Sequence, residues 1–347
     1  YGGEPEGVMA AVSAARNGTK SIIILKREKA GGLFTYGGLN YIDLNYGPNG
    51  EILNKNLFKE WHNMVGGQIS FSINKAQRSF EKLLKEEKNI KIIRNAKLEK
   101  IEMKDKHIKS ITIVADYQNI KNKRIKIKAD KFIDTSQNSD LAYKANAPFF
   151  KGGADIGLPE RKMAVTLVIH MGNISWDNLE NAVDNKSFKN SYIKKDHAWG
   201  FFELSKKYKS KDNNIKLRGL NIVRTNTDEV YINGMLIFNV NTTDKDSLEN
   251  AYNRGKIEAE NILMFLKNHL AGFKNAELLD FPEELYIREG RHLISEKQLT
   301  VNDQIKNKVF WDSLAFASYP LDYQASTPDY NGFVLFNPEI YGISYRS

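Results

Sequence analysis

The chain opens on a glycine-rich run, Gly2-Gly3-Glu4-Pro5-Glu6-Gly7, which leads directly into residues 8–17, a stretch rich in alanine. The small residues predict a closely packed helix, and Gly18 can take the left-handed conformation that closes one. An apolar strand is predicted at residues 21–25. Turn, helix and strand in this order are typical of the phosphate-binding corner of a dinucleotide fold, because glycines let the backbone approach a pyrophosphate. The run therefore predicts an α/β protein with a Rossmann-like domain.

One residue of the run departs from the usual spacing. The fingerprint of this corner is G-x-G-x-x-G, and Glu4 occupies the position of its middle glycine. A carboxylate that faced a pyrophosphate would repel it, so we expect the Glu4 side chain to turn outward.

Alternation and helical spacing divide the rest of the first 150 residues into short elements. The predicted elements are a helix at 75–87, a buried strand at 90–94, a β-meander with strands at 96–103, 108–115 and 124–128, and a last strand at 131–134. A polar loop at 135–140 then follows the carboxyl end of a strand, which is where open α/β sheets bind ligands. We therefore expect a parallel sheet plus a β-meander over residues 1–150.

The pattern changes beyond Gly152. The predicted elements are a long amphipathic helix at 247–270 and longer strands at 163–171, 220–224 and 230–240. We expect a mixed α+β domain at residues 151–320 that faces the substrate, and a return of residues 321–347 toward the first domain.

Composition excludes several classes of site. The chain has 347 residues, enough for two or three domains. The absence of cysteine excludes disulfides, thiolate metal sites and cysteine nucleophiles. The dispersed histidines have no metal-ligand spacing, so no metal site is predicted. No apolar run approaches the ~20 residues that span a bilayer, and no signal peptide is visible, so we expect no membrane segment and a cytoplasmic location.

The net charge of +9 comes from lysines scattered among asparagine and isoleucine. Nucleic-acid binding would require a basic stripe with interleaved aromatic residues. Residues 121–128 instead alternate apolar and basic side chains, the pattern of a strand with one solvated face. We therefore expect no nucleic-acid partner.

Several segments carry a likeness that runs from one end of the chain to the other. They are YGGEPEGV at 1–8, GGLFTYGGLN at 31–40, IDTS at 133–136, WGF at 199–201, RGLN at 218–221, LYIREGRH at 285–292 and SYPLD at 318–322. In these segments the chain resembles the bacterial FAD-dependent oxidoreductases of the glutathione-reductase-like, two-domain class. Because the motifs agree in order, the resemblance is more specific than the glycine run alone.

The resemblance implies FAD as cofactor, with its adenosine on the Rossmann half and its isoalloxazine at the interface with the substrate domain. It places these residues along the pyrophosphate: Gly2, Gly3, Glu4, Pro5, Glu6, Gly7, Ser136 and Asp140. It places these beside the ribityl chain: Gly31, Gly32, Leu33, Thr35, Tyr36 and Gly37. Ala96 and Lys97 would meet the adenine through their backbone, and Gln137 replaces a glycine of the family's pyrophosphate loop.

The chain departs from the family at the end of the strand at 21–25. An acid there usually accepts the adenosine ribose hydroxyls, about 20 residues after the fingerprint, but Leu25 and Lys26 stand at the matching positions. Either Glu28, the nearest acid, reaches back, or the ribose is held otherwise, for instance by Arg27.

The resemblance also implies further segments at both ends. The family has an apolar strand before the position of Tyr1, and a strand and a flavin-capping helix after that of Ser347. We therefore expect the chain to be truncated at both ends, with a gap of strand width beside residues 21–25.

The densest cluster of reactive side chains is Arg288, Arg291 and His292. Two guanidiniums beside a flavin could clamp a carboxylate, and the histidine could act as a base. On an extended segment, Arg288 and His292 share a face and Arg291 points the other way. The alternative interpretation is structural: the histidine packs, and the arginines pair with the acids Glu283, Glu284 or Glu289.

Other candidates come from position in the family. Tyr36 and Asn40 would lie near the flavin and are predicted catalytic residues together with the arginine cluster. A weaker set is Tyr319, Asp322 and Gln324.

These observations predict an FAD-dependent oxidoreductase that transfers hydride to or from a small, anionic organic substrate, with an unidentified electron donor or acceptor. Two alternatives stay open. A non-catalytic flavin- or nucleotide-binding protein is suggested by Glu4, Lys26 and Gln137. An RNA-associated flavoprotein would require the lysines to cluster on one face.

Overall fold

The computed structural model describes residues 1–330, 332–334 and 339–347. The helices and strands of its first half are, in chain order, α1 (Pro5–Arg16), β1 (Ser21–Ile24), α2 (Asn56–Val65), α3 (Ile73–Glu86), β2 (Ile90–Ile93), β3 (Lys97–Lys104), β4 (His107–Tyr117), β5 (Ile120–Lys128) and α4 (Asp140–Lys144). The opening corner has the predicted order, because α1 follows the glycine run and β1 follows α1.

A parallel pair of strands lies at the centre of this half. β1 and β2 pair with Ser21 opposite Ile90, and α1, α2 and α3 pack on one face around the buried rings of Trp61 and Phe80. Pro5 favours the start of α1, because its φ is already helical and its missing N–H needs no partner. The parallel strands with covering helices confirm the predicted Rossmann-like α/β fold.

The β-meander is present, with β3 shifted by one residue from its predicted bounds and with β4 and β5 longer than predicted. β3, β4 and β5 pair antiparallel in that order. One face buries Ile111 and Ile113 against Ile24 of β1, on the side of the sheet away from the helices. The opposite face is solvated and carries ion pairs such as Arg124 with Glu99. The basic alternation of β5 therefore belongs to an exposed strand face.

Residues 131–134, predicted as a strand, do not form one. Among the described residues their backbone pairs only with Tyr1, whose terminal amine donates to the Ile133 carbonyl at 2.8 Å. The Thr135 amide donates to the Tyr1 carbonyl, also at 2.8 Å. A strand requires hydrogen bonds to successive residues of a neighbour, so this prediction is wrong. A cleft of about 490 Å³ lies between β1 and residues 128–133.

The second half begins near residue 149. Its helices and strands are, in chain order, β6 (Phe149–Lys151), β7 (Ile169–Gly172), α5 (Trp176–Asp184), β8 (Tyr192–Ile193), β9 (His197–Gly200), α6 (Phe202–Lys207), β10 (Ile215–Arg224), β11 (Val230–Ile237), α7 (Lys245–His269), β12 (Glu277–Leu278), β13 (Arg291–Leu293), α8 (Val301–Ile305), β14 (Ser313–Ala317), β15 (Asp322–Tyr323), β16 (Phe333–Val334) and β17 (Tyr341–Ser344).

A six-stranded antiparallel sheet forms the core of this half, in the order β12-β7-β11-β10-β9-β8. α7 covers one face of it, and Gly255 lets the helix approach so closely that a Cβ there would crowd Ile237 and Leu167. The sheet with its covering helix provides a rigid wall on which site residues can stand.

The predicted strand at 163–171 is confirmed only at its end, where β7 begins. The earlier residues divide between two neighbours, since Val165 pairs with Ile237 and Thr166 with Tyr286. Thr166 therefore leaves the sheet and meets the segment that carries Arg288, which becomes important for the site.

None of the helices in the described part of the chain is both long enough and apolar enough to cross a membrane. The predicted domain bounds near residues 150 and 320 stay predictions, and the last predicted segment, 321–347, includes residues outside the described ranges.

Candidate functional site

Two backbone loops meet at the amino end of α1. No side chain of the described residues caps the helix, so the Glu6 N–H and the positive dipole end face an anion, while Pro5 has no N–H and the Gly7 N–H donates to the Glu4 carbonyl at 2.9 Å. The Gly31 amide donates to the Gly3 carbonyl at 2.9 Å and joins the glycine run to a second glycine loop. Gly2 has φ +136° and lies where a Cβ would collide with Thr135. We define the dinucleotide cradle as residues 2–7, 26–27, 31–32 and 136–140.

Other residues predicted to contact the cofactor lie in or beside the cradle. Pro5, Glu6 and Gly7 form the first turn of α1, with Glu6 exposed. Leu33 lies in a short 3-10 turn, and the Thr35 hydroxyl closes the turn by donating to the carbonyl at its start at 3.1 Å. Gly37 follows this turn.

Glu4 does not point outward. Its side chain is only 12% exposed, its carboxylate pairs with Arg27, and it lies on Gly32, where a Cβ would overlap it. Arg27 pairs with Glu284 as well, so one guanidinium holds two carboxylates. The outward prediction is wrong because Arg27 offers the carboxylate a cation inside the cradle. Burial raises the pKa of Glu4, and the nearby Glu284 charge adds to this effect, while Arg27 opposes it.

Lys26, which stands where an acid was expected, reaches the other side of the cradle. Its ammonium pairs with the Asp140 carboxylate at 2.8 Å, and Arg291 Nη1 donates to the same carboxylate at 3.1 Å. Burial alone would raise the pKa of Asp140, but these two cations outweigh it and lower the pKa. The Asp140 amide donates to Ser136 Oγ at 2.6 Å. These contacts join Lys26, Ser136 and Asp140 in one charged cluster.

The residues predicted on the adenine side lie at the end of β1. The buried Ala96 donates its amide to the Leu25 carbonyl at 3.0 Å, and Lys97 begins β3 with an exposed side chain. Glu28 accepts a hydrogen bond from Asn95 Nδ2 at 2.7 Å. The structure therefore brings Glu28 to the adenine side of the predicted site.

The structure separates the predicted cluster of Arg288, Arg291 and His292. Arg291 lies on the cradle with Asp140, whereas Arg288 points into a different cavity. The two guanidiniums are therefore not placed to clamp one anion, because Asp140 already takes the charge of Arg291. His292 pairs with Glu289 at 3.2 Å, and this hydrogen bond raises the pKa of the imidazole.

A cavity of about 650 Å³ lies between the loop that follows Gly31 and Gly32 and the six-stranded sheet. Its aromatic walls are formed by Phe34, Tyr41, Tyr192, Trp199, Tyr286 and Tyr319. Because two half-buried arginines, Arg218 and Arg288, also line it, we call it the arginine cavity.

The two arginines have no carboxylate partner among the described residues. Arg218 Nη2 donates to Asn233 Oδ1 at 3.2 Å, and its Nε is buried without a partner. Arg288 Nη1 donates to the Ala164 carbonyl and to Thr166 Oγ1, each at 3.0 Å. Burial lowers the pKa of both guanidiniums, that of Arg288 to about 10.

Such an arrangement lowers the stability of the fold when no anion is bound. A cation that lines a cavity loses part of its hydration, and no direct ion pair with a carboxylate of the described residues compensates for the loss. The charge of Arg218 also disfavours that of Arg288. The two guanidiniums therefore give the cavity the donors of an anion site.

Arg218 is the site residue that the sequence analysis missed. It appeared only within the matching RGLN segment. The signal that could have found it is its place in β10, where Leu217 and Leu220 on either side are buried. A cation within a buried strand requires a partner or a ligand.

The weaker candidates Tyr319, Asp322 and Gln324 line the cavity. The Tyr319 hydroxyl donates to Asp43 Oδ2 at 3.0 Å, and the Gln324 amide donates to Asp322. Burial raises the pKa of Tyr319, and the Asp43 charge adds to this, so the phenol keeps its proton at neutral pH. The acids of the cavity thus have hydrogen-bond partners of their own and form no direct ion pair with an arginine, although the charges of Asp43 and Asp322 favour the charged form of Arg218.

Two chain segments connect the cradle with the cavity. Residues 32–43 leave the second glycine loop, and residues 284–288 run from the Arg27 partner to Arg288. The Glu284 amide donates to the Tyr36 carbonyl at 3.1 Å, so the segments lie side by side.

The predicted catalytic residues Tyr36 and Asn40 lie on the first of these segments. The Tyr36 ring is 4.9 Å from the Arg27 guanidinium, so it belongs to the cradle end. Asn40 is buried, and its Nδ2 has no partner among the described residues.

The model of the FAD dependent oxidoreductase family matches residues 1–347. The chain belongs to this family. Membership confirms the predicted class, an FAD-dependent oxidoreductase, and the predicted cofactor FAD. A comparison with curated proteins found no match.

Solved structures that resemble the chain are distant in sequence. A geranylgeranyl bacteriochlorophyll reductase-like protein of Thermoplasma acidophilum is 14% identical at a TM-score of 0.45, over 81% of this chain and 63% of its own. The p-nitrophenol 4-monooxygenase of Pseudomonas putida is 11% identical at 0.44, over 86% and 69%. The flavin-dependent brominase Bmp2 is 9% identical at 0.44, over 80% and 64%. The chain spans between 63% and 69% of the length of these three proteins.

The cradle fits FAD in its backbone. The glycine run, the amino end of α1 and the second glycine loop lie together, and the N–H groups of Gly3, Glu6 and Gly32 have no partner among the described residues and could donate to a pyrophosphate. One side chain, the Glu4 carboxylate, opposes it.

Proposed function

We propose that the protein transfers hydride between FAD, held in the dinucleotide cradle, and a small organic anion, held in the arginine cavity. The observation that carries this proposal is the pair of half-buried arginines, Arg218 and Arg288, which line the cavity and form no ion pair with a carboxylate of the described residues. Bound FAD would supply the acceptor or donor of the hydride. A second redox partner, still to be identified, would return the cofactor to its starting state.

The guanidinium groups select a carboxylate by shape as well as by charge. A guanidinium is a planar fork that can donate two parallel N–H bonds to a carboxylate. Thr166 and Asn233 fix the two forks from the protein side. Fixed donors in a desolvated cavity bind an anion more strongly than mobile lysines on the surface. This favours a carboxylate-bearing substrate.

The aromatic walls favour an organic anion over an inorganic one. The Tyr41 and Tyr192 hydroxyls are 2.8 Å apart, and the Tyr192 ring stacks on Trp199 with centroids 5.7 Å apart. These linked rings give an apolar substrate body a fixed surface and exclude water from it. Asp43 and Asp322 are the carboxylates of the cavity that can take a proton from the substrate.

Benzoate and benzamide test the proposal, because they have the same size and differ in charge. We expect calorimetric titration of the protein to show binding of benzoate and not of benzamide. Arg288→Lys should lower benzoate affinity by about tenfold or more, since lysine keeps the charge and loses the fork, while FAD affinity stays unchanged. The matched control is Arg224→Lys at the end of β10, the strand that carries Arg218, because Arg224 donates to the carbonyl of Thr227 and does not line the cavity. Equal binding of both probes, or an equal loss in both variants, would contradict the proposal.

A further inference from the structure

Glu4 is the side chain of the dinucleotide cradle that opposes the cofactor. It stands at the middle position of the fingerprint, where a glycine lets the backbone approach the pyrophosphate. The Glu4 side chain instead extends from the glycine run to Gly32 of the second loop. It therefore fills the space between the two loops that the cofactor needs.

An ion-pair cluster holds Glu4 in this place. Arg27 pairs with both Glu4 and Glu284, and the side chains of Arg27 and Glu4 are 17% and 12% exposed. Two carboxylates and one guanidinium leave a net negative charge at the amino end of α1, where the dipole would otherwise attract an anion. The negative charge of this cluster repels a pyrophosphate that approaches it. Arg27, the nearby cation, is already paired with Glu4 and Glu284.

On the ribose side of the cradle, too, a charged residue departs from the fingerprint. Lys26 takes the position of the acid that usually accepts the ribose hydroxyls, and Asp140 holds its ammonium at 2.8 Å. Both charged departures from the fingerprint are thus satisfied by partners within the chain. The cations of the cradle are therefore paired with carboxylates.

We propose that Glu4 is a latch on the cradle: its carboxylate must leave Gly32 and Arg27 before FAD binds, and it lowers the affinity of this chain for FAD. The proposal is independent of the arginine cavity, because none of the latch residues lines that cavity. FAD binding and benzoate binding can therefore fail separately.

Two substitutions separate the charge of the latch from its bulk. Glu4→Gln keeps the size and removes the charge, and Glu4→Gly restores the fingerprint. We expect both flavin-free variants to bind FAD more tightly than the parent chain, by about tenfold or more for Glu4→Gly, because a like charge has been removed from the anion site. Quenching of flavin fluorescence during titration measures this directly.

Glu6→Gln is the matched control. Glu6 lies two residues further along the same turn, and its side chain is exposed. It removes one negative charge from the same helix end and leaves the contacts of Glu4 with Arg27 and Gly32 in place, so its gain in FAD affinity should be clearly smaller than that of Glu4→Gln. The proposal would be overturned if folded Glu4→Gly bound FAD no more tightly than the parent chain. Absence of FAD binding by both proteins would count as the same result. So would equal gains from Glu6→Gln and Glu4→Gln.

Discussion

The cradle and the arginine cavity both bury charged side chains, but they satisfy them differently. In the cradle each cation has a carboxylate: Arg27 holds Glu4 and Glu284, and Lys26 holds Asp140. In the cavity Arg218 and Arg288 hold only neutral oxygens. Paired charges stabilise the folded chain by themselves, whereas unpaired buried cations gain a partner only from outside.

This difference distinguishes charged residues that stabilise the fold from charged residues that can bind a ligand. In the proposed latch, the charges of the cradle stabilise the fold and compete with the cofactor. In the proposed substrate site, the charges of the cavity destabilise the fold until an anion binds. The same residue type, arginine, therefore has opposite effects on stability in the two places.

The largest expected effect comes from breaking a paired cation. Arg27→Met leaves Glu4, which is 12% exposed, and Glu284, which is 37% exposed, without their partner, so we expect the free energy of unfolding to fall by about 2 kcal/mol. Urea unfolding at neutral pH measures it. The control is Arg16→Met, since Arg16 also pairs with two acids but is 37% exposed and should cost about 0.5 kcal/mol. Equal losses would mean that the cradle charges are no more important than surface pairs.

Removing an unpaired cation should have a smaller effect of the opposite sign. Arg218→Met removes a guanidinium that has no counter-ion, so we expect unfolding free energy in urea to stay constant or to rise by up to about 1 kcal/mol. The stabilisation that benzoate confers on the parent chain should disappear in this variant. A loss as large as that of Arg27→Met would show that Arg218 is a structural residue.

The smallest effect concerns the pair of His292 with Glu289. The raised pKa of His292 means that the folded chain binds the proton more tightly than the unfolded chain. The extra stability is therefore fully present below about pH 6.5, the ordinary histidine value, and is lost as the pH rises through the raised value. Because the side chain is 38% exposed, we expect less than about 1 kcal/mol.

Unfolding of the parent and of His292→Gln at about pH 6 and pH 8 tests this pair. The parent should lose stability relative to the variant between the two values. The same difference at both pH values would show that the proton on His292 makes no contribution.

The cradle could be predicted from the sequence because its signals are local. The glycine run, α1 and β1 follow one another within 24 residues, and their order alone indicates the phosphate corner. The direction of Glu4 could not be predicted in this way. It depends on Arg27, a residue more than twenty positions away, whose guanidinium was considered only as a ribose ligand.

The cavity could be predicted only in part, because its residues come from distant strands. Arg288 was a candidate, but its neighbour in sequence, Arg291, was chosen as the second arginine. The fold instead brings Arg218 of β10 to the cavity and sends Arg291 to Asp140. Residues that are close in sequence can share a site only if the backbone directs their side chains to the same place. Here the chain runs from the cavity to the cradle between Arg288 and Arg291.

A crystal structure of the protein with benzoate is the most direct test of the central claim, that unpaired, half-buried arginines mark the substrate site. We predict that the benzoate carboxylate lies within hydrogen-bond distance of Arg218 Nε and of the Arg288 guanidinium, with its ring against the aromatic walls. An arginine cavity without benzoate at saturating concentration, or arginines paired with Asp43 and Asp322 instead, would contradict the account.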